Sequence, residues 1–108
     1  MFASNFIIKD DYLRHIRGRD ELKQFGQSRT VAAGNTMTNS FCSTCGTLMY
    51  RVSSGLPGHS ILRIGTVDDL NLHDTVLKPQ VEQWTKWRTS WLTPLEFAKQ
   101  VEVEGATL

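Results

Sequence analysis

The two cysteines of this 108-residue chain, Cys42 and Cys45, are separated by two residues. Two thiolates at this spacing can bind one tetrahedral metal ion, because the turn between them brings both sulfurs to the same side. Gly46 follows the second cysteine and permits the positive φ that such a turn commonly needs. Phe41 and Leu48 flank the turn and indicate that it connects two strands. The pattern predicts half of a zinc site, since a closed structural site needs four ligands.

Three other uses of the cysteine pair stay open: a redox dithiol, a strained disulfide, or two buried thiols. A redox pair of the thioredoxin kind lies where a strand leads into a helix, whose N-terminus stabilises the first thiolate. No helix start follows this pair, because residues 47–52 alternate and are rich in strand formers. Metal binding is therefore the favoured hypothesis.

The sequence does not fix the remaining zinc ligands. The three histidines, His15, His59 and His73, are too far apart for a finger with two cysteines and two histidines. His59 and His73 lie in predicted loops, from which either can reach a metal ion. A second copy of the chain can instead donate its own pair and complete a four-cysteine site across a two-fold axis. The half-filled site and the apolar first strand predict a homodimer.

Four basic side chains are candidates for an anion pocket: Arg51, Arg63, Lys86 and Arg88. An arginine can donate two parallel hydrogen bonds to a carboxylate, such as those of a peptide-like thiol. The alternative is a set of solvated surface charges with little energetic consequence. Glu82 is a candidate base if burial raises its pKa, and otherwise a partner for Arg88.

The three tryptophans, Trp84, Trp87 and Trp91, have two alternative uses. They can line an apolar ligand site, since clefts are lined mainly by aromatic and aliphatic groups. They can also serve as core anchors, because such large rings dominate burial in small domains. We expect them in the core.

Composition excludes several classes of function. A net charge of +1 indicates neither nucleic-acid binding nor a polybasic membrane anchor. The chain has no long apolar run and no signal-peptide pattern at its start. We therefore expect one domain over residues 1–108, located in the reducing cytoplasm, without nucleic-acid or membrane partners.

Many short strand patterns separated by turn signals predict a mainly β domain. Segments 12–17 and 19–27 fit either a strand or a short helix. The sequence Thr93-Pro94-Leu95-Glu96 matches a capping box with proline at the first helical position, and predicts a short helix ending near Val101. The extended segments, in chain order, are 2–8, 39–42, 47–53, 60–65 and 81–85.

The alternation within residues 47–53 also predicts which side chains share a face of the sheet. Leu48, Tyr50 and Val52 are expected on one face, and Met49 and Arg51 on the other.

Four segments together carry a recognisable family pattern. The first is Phe-Cys-x-x-Cys-Gly-Thr-Leu at 41–48, with Arg51 six residues after the second cysteine. The second is Ile-Gly-Thr-Val-Asp-Asp at 64–69, and the third is the opening segment 2–6. The fourth is Pro-x-x-Glu-x-Trp at 79–84, closed by Arg88 and Trp91. The chain resembles the glutathione-dependent formaldehyde-activating enzyme (GFA) family, which includes the centromere protein V-like proteins.

This resemblance implies a β-tent fold, in which stacked antiparallel sheets are pinned by zinc. It also implies carbon–sulfur lyase chemistry on an adduct of glutathione or a comparable thiol. Cys42 and Cys45 match the later cysteine pair of the family's structural zinc site. Arg51, Glu82 and Arg88 match family positions, and we expect them to bind substrate.

The family pattern also includes upstream cysteine clusters that hold the catalytic zinc and two structural ligands, and these 108 residues do not contain them. We therefore expect a domain truncated at its N-terminus, and the sequence assigns no catalytic residue. The predicted function is a lyase-like protein that acts on a thiol adduct or a related small molecule. The alternative is a non-catalytic, zinc-stapled scaffold or dimerising binding module.

Overall fold

A computed structural model describes residues 2–31 and 33–103 of the chain. These residues form two compact units, one spanning Ser4–Asp68 and one running from Asp69 onward together with Phe2 and Ala3. The fold is mainly β, as the sequence predicts. No helix in the described part of the chain has the length and apolar content that crossing a membrane requires.

The first unit is built on a five-stranded antiparallel sheet with the strand order β1-β5-β4-β3-β2. Successive strands from β2 to β5 pair with their chain neighbours, and β1 returns to pair with β5 at one edge. The predicted strands around the cysteine pair and before residue 64 are therefore confirmed. The strands are β1 Asn5–Lys9, β2 Leu22–Gln27, β3 Met37–Cys42, β4 Leu48–Ser53 and β5 His59–Arg63.

The two ambiguous segments before β3 are resolved differently. Segment 12–17 contributes only the end of a short 3-10 turn, Asp10–Tyr12, and is otherwise irregular. Segment 19–27 contains both of its alternatives, a 3-10 turn at Arg19–Glu21 followed directly by β2.

The pairing of β3 with β4 shifts by one residue next to the cysteine pair. Ser40 lies opposite Tyr50, whereas Phe41 lies opposite Leu48, so Met49 is an extra residue on β4. Such a bulge bends the strand and interrupts the alternation of its side chains. The predicted alternation therefore holds from Tyr50 to the end of β4 and breaks at Leu48.

The second unit contains a helix of only four residues, α1 Asn71–Asp74, and a two-stranded sheet. That sheet pairs β6 Val81–Glu82 with β7 Lys99–Gln100 in parallel, whereas the resemblance implies antiparallel sheets. The predicted helix at 93–101 is wrong, because this segment forms turns that lead into β7.

Few side chains are fully buried. Among the described residues, Ile64 and Ala98 are the buried apolar side chains, and Ser40 and Ser60 are the buried polar ones. The hydroxyl of Ser60 donates a hydrogen bond to Oδ1 of Asp10 at 2.7 Å, which compensates for its removal from water. The core that the described residues form is small for a chain of this length.

Candidate functional site

The two cysteines lie on a tight turn, residues 42–47, that connects β3 to β4 and is called the cysteine turn below. The N–H of Cys42 donates to the carbonyl of Thr47 at 2.9 Å, and the N–H of Gly46 donates to the carbonyl of Cys42 at 2.8 Å. Gly46 has a φ of 77°, the left-handed conformation that its sequence position predicts. These bonds fix the backbone that carries both sulfurs.

Both cysteines are free thiols, so the disulfide alternative is wrong. The N–H of Thr44 donates to Sγ of Cys42 at 3.4 Å, and Sγ of Cys45 lies 3.1 Å from the hydroxyl oxygen of Thr47. Cys45 is exposed and Cys42 is half-buried, which excludes the alternative of two buried thiols. A strand rather than a helix follows the turn, as the sequence predicts, so the pair lacks the helix N-terminus of a thioredoxin-like redox site.

The surroundings of Cys45 favour its thiolate. Hydrogen bonding from the Thr47 side chain lowers the pKa of Cys45, and the backbone of Thr47 and the thiol of Cys42 lower it further. Desolvation acts in the opposite direction and is the weaker influence. Because metals bind the thiolate form, this electrostatic environment suits a zinc ligand.

The cysteine turn contains two candidate metal ligands, the thiols of Cys42 and Cys45. The described residues contain no group of three or more histidine, cysteine, aspartate or glutamate side chains arranged to hold a metal ion. The predicted loop positions of His59 and His73 are wrong, because His59 begins β5 and His73 lies in α1. Neither histidine joins the cysteines in such a group among the described residues. The ring of His59 instead donates from Nδ1 to the carbonyl of Pro57 at 3.0 Å.

Replacing Gly46 by alanine is expected to lower the free energy of unfolding by about 1–2 kcal/mol, the cost of placing a Cβ in the left-handed region. A Cβ at this position would meet no atom within 4 Å, so the cost is purely conformational. Gly65 is a matched control, because its Cβ would also meet open space and its φ lies outside that region. Urea unfolding of Gly46→Ala and Gly65→Ala measures the difference, and equal effects would contradict this account of the turn.

Glu82 and Arg88 come together in the second unit. Arg88 Nη2 lies 3.2 Å from Oε2 of Glu82, and the same oxygen accepts hydrogen bonds from the N–H of Leu95 at 2.8 Å and Nε2 of Gln100 at 2.6 Å. Arg88 also donates to Oε1 of Gln100. The carboxylate of Glu82 therefore ties β6 to the segment that leads into β7.

The predicted role of Glu82 as a base requires a raised pKa, and the pKa of Glu82 is instead lowered. The N–H of Leu95 and the side chain of Gln100 lower the pKa of Glu82, with Arg88 contributing less. The carboxylate is thus stabilised in its charged, weakly basic form. Pairing with Arg88, the alternative use predicted for Glu82, is the arrangement that the structure contains.

Arg51 lies in the other unit, on β4. Its Nε donates to Oδ1 of Asn39, the residue directly opposite on β3, at 3.0 Å. Burial lowers the pKa of Arg51, and the nearby charge of Arg63 lowers it further. The sequence did not indicate Asn39 as a partner of Arg51. The register of the hairpin that flanks the cysteine turn could have identified it, because it places the two residues opposite each other.

The tryptophans are not in the core, contrary to our expectation. Trp84, Trp87 and Trp91 are 39%, 64% and 68% exposed. Trp84 has a φ of 63°, a rare conformation for an aromatic residue, and precedes a 3-10 turn at Thr85–Trp87. Its ring centroid lies 5.7 Å from that of Trp87, so the two indoles pack on each other at the surface.

Comparison with known proteins supports the resemblance. A family model described as glutathione-dependent formaldehyde-activating enzyme matches residues 1–87, which include the cysteine turn, Arg51 and Glu82 and end one residue before Arg88. No curated protein and no solved structure matches the chain. Because the family model covers most of the sequence, the chain belongs to the glutathione-dependent formaldehyde-activating enzyme family.

Proposed function

We propose that this protein is a zinc-binding, carbon–sulfur lyase-like member of its family that acts on an adduct of glutathione or a related thiol. The family match over residues 1–87 carries this proposal, because the family's description names both glutathione and formaldehyde. The β-tent arrangement belongs to the same proposal and is supported by the mainly β architecture. One domain over residues 1–108 stays a prediction.

Cys42 and Cys45 would hold the zinc ion. The geometry of the cysteine turn and the lowered pKa of Cys45 support this assignment. A zinc ion with an open coordination position can polarise a thiol or a carbonyl, whereas a closed four-ligand site is structural. Since two ligands alone complete neither kind of site, we assign to this turn a structural role and no step of the reaction.

A second copy of the chain is the proposed source of the other two thiolates. Cys45 is exposed, and it lies on a surface turn where the sulfurs of a symmetry-related pair can approach. Four cysteine ligands are a common structural zinc set. The proposed assembly is a homodimer with one shared zinc ion.

We propose that Arg51 contacts a carboxylate of the thiol adduct, because its charge has no carboxylate partner among the described residues. Glu82 and Arg88 are engaged with each other. Their proposed contribution to substrate binding is to position residues 82–100, which they connect through Leu95 and Gln100.

The second candidate function is a non-catalytic scaffold stapled by zinc. The absence of a three-ligand metal group in residues 2–31 and 33–103 favours it, because the family's catalytic chemistry depends on such a group. In that case the protein would retain the zinc ion and the dimer without turnover.

One set of measurements separates the two candidates. NMR exchange spectroscopy of formaldehyde and glutathione would measure how fast their adduct forms and breaks down, with zinc content and native mass determined on the same sample. The lyase proposal expects the protein to accelerate exchange above the uncatalysed rate. A zinc-loaded dimer that leaves the rate unchanged would overturn it in favour of the scaffold.

A further inference from the structure

Two arginines share one face of the five-stranded sheet. Arg51 on β4 lies opposite Ile61 on β5, and Arg63 follows Ile61 by two residues at the end of β5. Because side chains alternate along a strand, Arg63 projects from the same face as Arg51. Their proximity is also evident electrostatically, since the charge of Arg63 lowers the pKa of Arg51.

Among the described residues, no carboxylate neutralises either guanidinium. In the part of the chain that the structure describes, the ion pair formed is Arg88 with Glu82, in the other unit. Arg51 and Arg63 are instead held by neutral amides: Nε of Arg51 donates to Asn39, and Nη1 of Arg63 donates to Oδ1 of Asn5, each at 3.0 Å. An amide oxygen orients a guanidinium without cancelling its charge.

The arrangement is unfavourable without an anion. Both arginines are half-buried, and two like charges at close range in a partly desolvated position oppose each other. Each guanidinium carries five N–H donors, of which the asparagine uses one. The others point to no described protein acceptor, so both the charge and the donors are available to a ligand.

We propose that Arg51 and Arg63 form a carboxylate-binding site, with Asn39 and Asn5 as positioning residues. The assignment of the ligand as a peptide-like thiol with free carboxylates rests on the proposed function. Two guanidinium groups side by side match either one carboxylate held by both or two carboxylates on one molecule. Of the residues in this site, only Arg51 matches a position of the family pattern. The proposal adds Arg63, Asn39 and Asn5.

The test uses S-methylglutathione, which keeps both carboxylates but cannot react at sulfur. Its binding to the full chain is followed by NMR, including the Nε–Hε signals of Arg51 and Arg63 in the wild-type protein. Arg51→Met and Arg63→Met are each expected to weaken binding about tenfold or more, the loss typical of a charge-assisted contact. Arg17→Met, at an exposed position, is the matched control and is expected to bind as the wild type does.

Two further ligands separate the possible anions. The diethyl ester of S-methylglutathione lacks free carboxylates and is expected not to bind. Inorganic phosphate is expected to bind more weakly than the peptide and to compete with it. Equal binding of the ester, wild-type affinity in both methionine variants, or phosphate binding without peptide binding would overturn the carboxylate assignment.

If a variant fails to fold, the Nε–Hε signals of Arg51 and Arg63 in the wild-type protein still test the proposal. Signals that stay unchanged at saturating peptide would overturn it by themselves. Arg63→Lys, which keeps the charge and loses the paired donors, is expected to show an intermediate affinity. Failure of this proposal and failure of the proposed function are distinguishable, because arginine-dependent binding without lyase activity would refute only the activity.

Discussion

Ile64→Ala is expected to lower the free energy of unfolding by about 2–5 kcal/mol, because it removes a buried side chain and leaves a cavity. Ile64 is 6% exposed and is one of two buried apolar residues in the described part of the chain. Its N–H also donates to the carbonyl of Ser4 at 3.1 Å, which places it where β1 and β5 meet. A core this small has few other side chains to compensate for the loss.

The matched control for that substitution is Ile16→Ala. Ile16 is 82% exposed, so the same chemical change there is expected to alter stability by less than about 0.5 kcal/mol. Urea unfolding followed by far-UV circular dichroism measures both variants. Similar losses in the two would show that Ile64 does not occupy the core position described.

Cys42→Ser is expected to abolish zinc binding and, with it, the dimer. A serine hydroxyl is not deprotonated at neutral pH and does not replace a thiolate ligand, so each chain would retain a single sulfur. The backbone bonds of Cys42 to Thr47 and Gly46 do not involve the side chain, so the turn itself is expected to persist. The wild-type protein is expected to contain about one zinc ion per two chains.

Elemental analysis and native mass measured together test this expectation. Ser43→Ala is the control, because it changes the neighbouring residue and leaves both thiols in place. It should retain the zinc content and mass of the wild type. Zinc retained in Cys42→Ser, or a monomer that binds one zinc ion per chain, would contradict a site shared between two chains.

Prediction from the sequence succeeded where the residues that determine a structure are neighbours in the chain. The spacing of Cys42 and Cys45, with Gly46 behind them, predicts the turn because its conformation is decided within six residues. The strands on either side follow from alternation, which the pleat imposes directly. The extra residue at Met49 was not predictable, because a bulge depends on how β4 pairs with β3.

The predicted helix at 93–101 shows why the C-terminal unit was harder to predict. The capping pattern is present, but backbone groups remote in sequence take the hydrogen bonds that a helix would use. In a helix the N–H groups of Lys99 and Val101 would donate to carbonyls four residues earlier, whereas here they donate to the carbonyls of Gln80 and Glu82 at 2.9 and 2.8 Å. Such tertiary contacts outweigh a helix propensity of a few tenths of a kcal/mol per residue.

The candidate site was predictable only in part for a similar reason. Residue type identified Arg51, Glu82 and Arg88, yet their partners depend on which strands lie side by side. Apolar character likewise identified the tryptophans, but burial requires a surface that covers them, and no periodicity in the sequence encodes one.

The position of the tryptophans has a practical consequence. All three lie between residues 84 and 91, in the unit that runs from Asp69 onward. Indole emission therefore reports on that unit, whereas the amide circular dichroism signal is dominated by the five-stranded sheet of the other. The protein thus carries two separate spectroscopic probes, and the coincidence of their melting curves is a direct measure of cooperativity between its halves.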